Sequence, residues 1–457
     1  MSREYKTANY EAMLDMTIRL RDAVPAGHLA RFVVDVVAQL DLSRIYGVYG
    51  TCGGEPYAPE ILLALLLYGY ATGVFSSRKI ERATYESMPF RFIAGGLHPD
   101  HDTLANFRKT FGMEIKDLFV QVLLLAQATG VFKLGNISMD GSKIQANASK
   151  SKAVSYRRLL ELEVKLRREV DELFTLAEHS DRQQLPEGLV ISDEVGLRQQ
   201  RLALLAEAKA VLEARGQERY QAEKADYEAK LREREEKALR SGRKPSGRPP
   251  TPPVAGPKAK DQYNFTDPDS RIMKSSANEG FDQDYNAQVA VDQTSFLIVA
   301  HSLSNHPNDQ GEVEPTLEAL PAALGTPVAA ALDNGYFSAD NVAGLEKRGI
   351  DPYIATGREP HHQSWQERFA QPPEARPEDA SPKEKMAYKL QTEIGKAIYS
   401  LRKCTVEPVI GVIKAVLGFR QFSLRGLPSA AAEWGLVCLA FDLKRLHILM
   451  KGASMIG

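Results

Sequence analysis

The sequence predicts an α+β protein: a mixed sheet as core, an all-helical domain before it, and a long helical hairpin inserted into it. Three observations carry this prediction. Residues up to about 130 follow helical periodicity, strand-like apolar segments begin near Asn136 and resume near Tyr285, and a charged stretch rich in Leu, Ala, Glu, Lys and Arg lies between them. With 457 residues, 43% of them hydrophobic, the chain has material for several buried cores. The expected boundaries are 1–130 for the helical domain, 131–150 with 263–457 for the core, and 151–262 for the hairpin with its Pro-rich linker.

In the first part, "YAPEILLALLLYGYATGVFSSRKIERATYESMPF" contains an apolar helix with Pro59 near its start, a break at Gly73, and a second helix after the cap candidates Ser76 and Ser77. Arg78, Lys79 and Arg82 sit near the start of that second helix. Helix, short turn, basic helix is the pattern of a helix-turn-helix, and plain helix packing produces it as well. A further helix begins in "HPDHDTLANFRKTF", with Asp102 or Thr103 as cap.

"NISMDGSKI" is strand-like and is read as ending on Asp140. Two long helices then form the charged hairpin, closed by "KPSGRPPTPPVAGPK", which is neither helix nor central strand and reads as an exposed linker. Strand signals return in "YNAQVAVDQTSFLIVAHSLS", where Tyr285, Ala287, Val289 and Val291 are read as alternating with polar partners before a turn near Asp292 to Ser295. A helix, the small-residue strand "TPVAAALD" ending on Asp333, another helix and the strand "DPYIAT" follow. After a polar, Pro-rich gap comes a terminal helical region in which Thr405 can cap a helix holding Glu407 and Pro408 in its first turn.

Several function classes drop out. Cys52, Cys404 and Cys438 are far apart and form no zinc or disulfide spacing. No segment reads as an export signal or a membrane span, so a cytoplasmic location with no membrane partner is expected. The 58 basic and 59 acidic residues give a net charge of −1, so any nucleic-acid surface must be local. Basic residues do crowd the C-terminal part, among them Arg402, Lys403 and Lys414, as a binding surface or a solvated face would have them.

Asp140, Asp333 and Glu407 stand out by position. Each has an ordinary reading, as hairpin turn, helix start and helix-dipole compensation respectively. If the strand ends lie side by side and the helix packs on them, three carboxylates converge. Such a cluster stays ionised only around a cation, and its oxygen-only donors suit Mg²⁺, with Mn²⁺ as substitute, over zinc. Two such ions can activate a hydroxyl and stabilise a leaving oxygen in an attack on phosphorus. Asp, Asp, Glu on strand, strand, helix is the order that a ribonuclease-H-like nucleotidyl-transfer site needs. His301 and His306 read as a packing residue and a surface residue.

The chain resembles the DDE transposases of bacterial insertion sequences, in the branch whose terminal helix carries a Tyr, Arg, Glu, Lys signature. "SMDGSKIQANAS" is similar to that family's first-aspartate segment, "ALDNGYFSADN" to its second, and "YSLRKCTVEPVIGVIKAVLGFRQF" to its glutamate region. "DPDSRIMK" and "GFDQDYNAQVAVD" resemble its connecting motifs. The resemblance implies Asp140, Asp333 and Glu407 as catalytic metal ligands, and Tyr399, Arg402 and Lys414 as contacts to DNA phosphates. It further implies cleavage at the element's terminal inverted repeats, attack of the 3′-hydroxyl on target DNA, and a homodimer or larger assembly on the nucleoid. One departure stands: four residues separate Arg402 from Glu407 where the signature has three, so Lys403 competes for the arginine's place. The helical front end, with Arg78, Lys79 and Arg82, would read the DNA ends. Trp365, beside His361 and His362, is a candidate to stack on a flipped base. A DNA-binding derivative that no longer cuts, or a nuclease that hydrolyses without joining, are the competing readings.

Overall fold

The computed structural model describes residues 19–49, 56–179, 188–241, 248–276, 280–357 and 380–456. Trp365, His361 and His362 lie outside the described residues. The chain divides into two compact units, Met1–Gln145 with Tyr285–Gly457, and Ala146–Asp284.

The first unit opens with helices α1 (Leu29–Val37), α2 (Ser43–Tyr46), α3 (Pro59–Ala71), α4 (Ser77–Glu86), α5 (Met88–Ile93), α6 (His101–Thr110) and α7 (Gly112–Ala128). Helix α3 is apolar all round and almost wholly buried, the signature of a helix packed on every side. Its turn into α4 needs Gly73, at φ +82, where a Cβ would also meet the Leu417 carbonyl at 2.7 Å. Ser76 takes the cap position of α4 without a side-chain hydrogen bond. The cap of α6 is neither Asp102 nor Thr103 but Asp100, whose carboxylate accepts from the Thr103 N–H at 2.8 Å.

In the sheet of this unit, β1 (Ile137–Gln145) lies between β5 (Gly280–Asp292) and β7 (Ala329–Leu332); β6 (Ile298–Ser304) pairs with β5, and β8 (Asp351–Ile354) with β7. The sheet is mixed: β1, β7 and β8 run parallel, whereas β5 and β6 form an antiparallel hairpin. Its hairpin turn is where the sequence places it, and Asp292 satisfies the N–H groups of Thr294 and Ser295 there. Alternation along β5 is real, yet Asn286 and Gln288 on the polar face are as buried as Ala287 and Val289. A polar network, described below, occupies that face.

The second unit supplies two long helices, α8 (Tyr156–His179) and α9 (Ile191–Ser241), and after β6 the first unit continues with α10 (Val313–Glu318), α11 (Ala339–Lys347), α12 (Pro382–Gln391), α13 (Glu393–Gly411) and α14 (Leu427–Ile456). Helix α14 packs on β6, α3 and α7, so the amino-terminal helices and the sheet share one core. Helix α13 packs across β1, β7 and β8. Short residues in β7, Ala329 to Ala331, leave room for that approach.

Two expectations need correction. Asp140 does not end its strand; β1 continues to Gln145, because Ser142 and Lys143 find partners that keep the chain extended. Nor does Thr405 begin a helix. Thr392 caps α13 by accepting from the Gly395 N–H, so Glu407 lies near its far end and Pro408 inside it. A five-residue π-helical turn, Val412–Val416, follows directly.

In the second unit, α8 and α9 pack as a pair around Val154, Leu159, Leu166, Leu205, Ala208 and Leu212. The short strands β2 (Ala153–Ser155) and β3 (Gln262–Asn264) pair beneath them, and β4 (Arg271–Ser276) pairs with the first residues of β5. The described part of the Pro-rich stretch is mostly exposed but tied to α9: Arg219 donates to the Gly256 carbonyl at 3.0 Å, and a Cβ on Gly216 would meet Gly256 at 2.7 Å.

Candidate active site

The register of β1 on the parallel strand β7 sets Met139 opposite Leu332, so Asp140, inside β1, and Asp333, the residue just after β7, come next along the two chains. Asp333 caps a short 3₁₀ turn, Asn334–Tyr336, and accepts from the Gly335 N–H at 2.7 Å. Asp140 accepts from the Gly141 N–H at 2.8 Å. Burial and the charge of Asp333 push the Asp140 carboxyl up to about 6, against the pull of that N–H and of Arg402.

Arg402 reaches this pair from α13. Its side chain is 6% exposed, with Nη1 at 3.1 Å from Asp140 Oδ2 and Nη2 at 3.6 Å from Glu407 Oε1. Burial works against its charge, but Asp140, Tyr399, Asp333 and Glu407 together outweigh it and raise its pKa. The Tyr399 ring lies 5.9 Å from the guanidinium. Arg402, rather than Lys403, therefore stands at the acids despite the extra residue before Glu407; a long forked side chain spans the offset, whereas Lys403 is exposed. Glu407 is half exposed and joined to Asp140 through Arg402.

Lys414 belongs to the π-helical turn and donates to Ser142 Oγ at 3.0 Å and to the Lys143 carbonyl at 3.2 Å. Arg78, Lys79 and Arg82 are exposed on α4, where Arg82 pairs with Glu86 at 2.7 Å. His301 is half-buried edge-on against Phe119, and desolvation lowers it to about 4; His306 pairs with Glu312 at 3.0 Å. Neither histidine touches the acids.

Sequence reasoning missed one carboxylate altogether. Asp309, in the loop after β6, accepts at Oδ1 from Lys143 Nζ at 2.9 Å, Asn286 Nδ2 at 2.8 Å and Gln288 Nε2 at 3.1 Å. Its charge contributes to the raised pKa of Asp140 and of Tyr336, whose hydroxyl donates to Gln288 Oε1 at 2.5 Å. The available signal was the pair Asn286 and Gln288, two amides spaced by two on an otherwise apolar strand.

The oxygen donors of Asp140, Asp333 and Glu407 suit a hard divalent ion, and the repulsion that lifts Asp140 is what a cation relieves. Among the described residues, no three His, Cys, Asp or Glu side chains stand close enough together to hold one. The cation at Asp140 and Glu407 is Arg402.

Two family models match the chain: a transposase domain over residues 18–110 and a transposase DDE domain over residues 370–447. No curated protein and no solved structure matches it. No helix among the described residues is long and apolar enough to cross a membrane.

Proposed function

We propose that this chain is a DDE transposase of an insertion sequence, a reading that the two transposase models it matches support, and that it cuts DNA at the ends of its element and joins the freed 3′-hydroxyl to target DNA. The observation that carries this reading is the side-by-side position of Asp140 and Asp333 on parallel strands beneath the helix that bears Glu407. The mixed sheet is read as ribonuclease-H-like on the same ground.

In this reading the oxygens of Asp140, Asp333 and Glu407, which now face Arg402 and not an ion, are the donors that Mg²⁺ or Mn²⁺ would take, and the ion would supply Lewis-acid activation of the attacking and leaving oxygens. The chain's own residues position the substrate. Arg402 is held by Asp140 and Glu407, and in this reading a DNA phosphate would replace the half-exposed Glu407 at one arm of its fork. Lys414 stands one step further along β1, beside Ser142, and offers a second cation to the same backbone. Tyr399 and the exposed Lys403 flank them on α13. Arg78, Lys79 and Arg82 of α4 contribute to end recognition, with phosphate contacts making it salt-dependent. The protein would act on DNA in the cytoplasm as a dimer or larger assembly that brings two ends together.

The test is cleavage of a labelled duplex carrying the element's end. Asp140→Asn, Asp333→Asn and Glu407→Gln should each reduce cleavage to background while end binding persists. An acid whose replacement leaves cleavage intact is outside the site. A strand-transfer assay on the same substrate separates joining from hydrolysis alone.

A further inference from the structure

Helix α4 separates its faces. Ser77, Ile80 and Thr84, spaced by three and four, are buried, whereas Arg78, Arg82 and Tyr85, spaced by four and three, form an exposed stripe. Lys79 is exposed beside them at the start of the helix. Both acids of α4 are occupied. Glu86 pairs with Arg82, and Glu81 is turned to the start of α6, where the His101 N–H donates to Glu81 Oε2 at 3.1 Å and His101 Nδ1 stands 2.8 Å from the same oxygen. What α4 offers outward is therefore positive charge at its beginning and one aromatic ring near its end.

That ring is exposed and yet fixed. Tyr85 is 60% exposed, but it lies flat against His98, with 3.8 Å between ring centroids and 9° between planes. Thr84 holds the histidine in turn: its buried hydroxyl spends its one hydrogen on the Glu81 carbonyl at 2.7 Å, so it accepts from His98 Nδ1 at 2.9 Å. A broad side chain immobilised before its partner arrives loses little freedom on contact. The partner's chemistry follows from the stripe. Arg78 and Lys79 suit phosphate, and a ring on the same face needs an apolar group within reach of that phosphate. Base-pair edges in the major groove present donors and acceptors with one apolar exception, the 5-methyl group of thymine.

We infer that Tyr85 is a specificity-determining residue of end recognition, held by His98 to read a thymine of the element's end through its methyl group. The inference rests on the reading of α4 as a helix that binds the DNA ends.

The experiment measures the affinity of the full chain, at one fixed salt concentration, for a labelled duplex carrying the element's end. It is repeated on copies in which single thymines are replaced by uracil, which removes the methyl alone. At least one such copy should bind about 4-fold more weakly, as the loss of one buried methyl requires. Tyr85→Ala should bind that copy and the unaltered end equally, and Tyr85→Phe, which keeps the ring, should restore the difference. Because Tyr85 is exposed, the fold should survive both changes, as circular dichroism and the melting temperature will report. If no thymine responds to the loss of its methyl, or if Tyr85→Ala still separates thymine from uracil, the role of Tyr85 is wrong; α4 stands as the end-binding helix if Arg78→Ala and Lys79→Ala weaken binding. If those two leave binding and its salt dependence unchanged, α4 is not at the DNA, and the inference falls with that reading. A Tyr85→Ala protein that binds the end as the wild type does but no longer associates with a second copy assigns the ring to a protein interface and overturns the inference as well.

Discussion

The helical pair of the second unit and the acid layer of the first both bring opposite charges together, but in different surroundings. On α8 and α9, Glu163 meets Arg167 at 2.8 Å and Lys209 at 3.1 Å near solvent, above a small apolar core. Beneath Asp140, by contrast, Arg402 is nearly sealed, and a hydrogen-bonded amide layer takes the place of apolar packing. Charges at a surface are replaceable by water. Charges in a buried layer are not, so the hairpin should lose stability through its apolar residues and the acid layer through its ionic ones.

Removal of Arg402 is expected to have the largest effect. Arg402→Leu leaves the half-buried Asp140 without its cation and should cost about 3 kcal/mol in urea unfolding at pH 8. The cost should shrink at pH 5, below the carboxyl's pKa of about 6, where Asp140 takes a proton instead. An equal cost at both pH values would mean that the lost packing of the arginine stem, not its charge, matters.

In the hairpin the expected order reverses. Leu212, 2% exposed, should cost roughly 3 kcal/mol as Leu212→Ala, while Glu163→Gln should cost less than about 1 kcal/mol. Hydrogen exchange along α9 reads both. A Glu163→Gln effect that matches Leu212→Ala would erase the contrast.

One further effect has the opposite sign. Asp140 has its folded pKa raised from 3.8 to about 6, so its contribution to stability is fully present below the unfolded value and is lost as pH rises through 6. Asp140→Asn removes that loss and should stabilise the metal-free protein by roughly 1–3 kcal/mol at pH 8, with no gain near pH 3. Thermal unfolding across pH checks the sign; destabilisation at pH 8 would place Asp140 among the supports of the fold.

The hairpin pattern and the small-residue strand before Asp333 were legible in the sequence because each depends on a local period. The start of α13 was not: Pro408 suggested a first turn, whereas Thr392, with a side chain able to cap, lies sixteen residues earlier, and the helix simply carries a proline inside it. Asp140 was placed at a strand end because Asp-Gly is a turn pair, and what keeps β1 extended past it comes from Asp309 and Lys414, far away in the chain. The burial of Asn286 and Gln288 was not legible, since period two separates the faces of a strand but not wet from dry. Arg402 could not be chosen over Lys403 by counting alone, because counting ignores the reach of a side chain.

At Gly141 the constraint is one of clearance. The residue beside Asp140 has no side chain, and any other residue would collide with an amide that three partners hold in place. If relatives of this chain retain glycine there, the cause is room for a neighbour, and the column should be read as a measure of strand spacing, not as a trace of reaction chemistry.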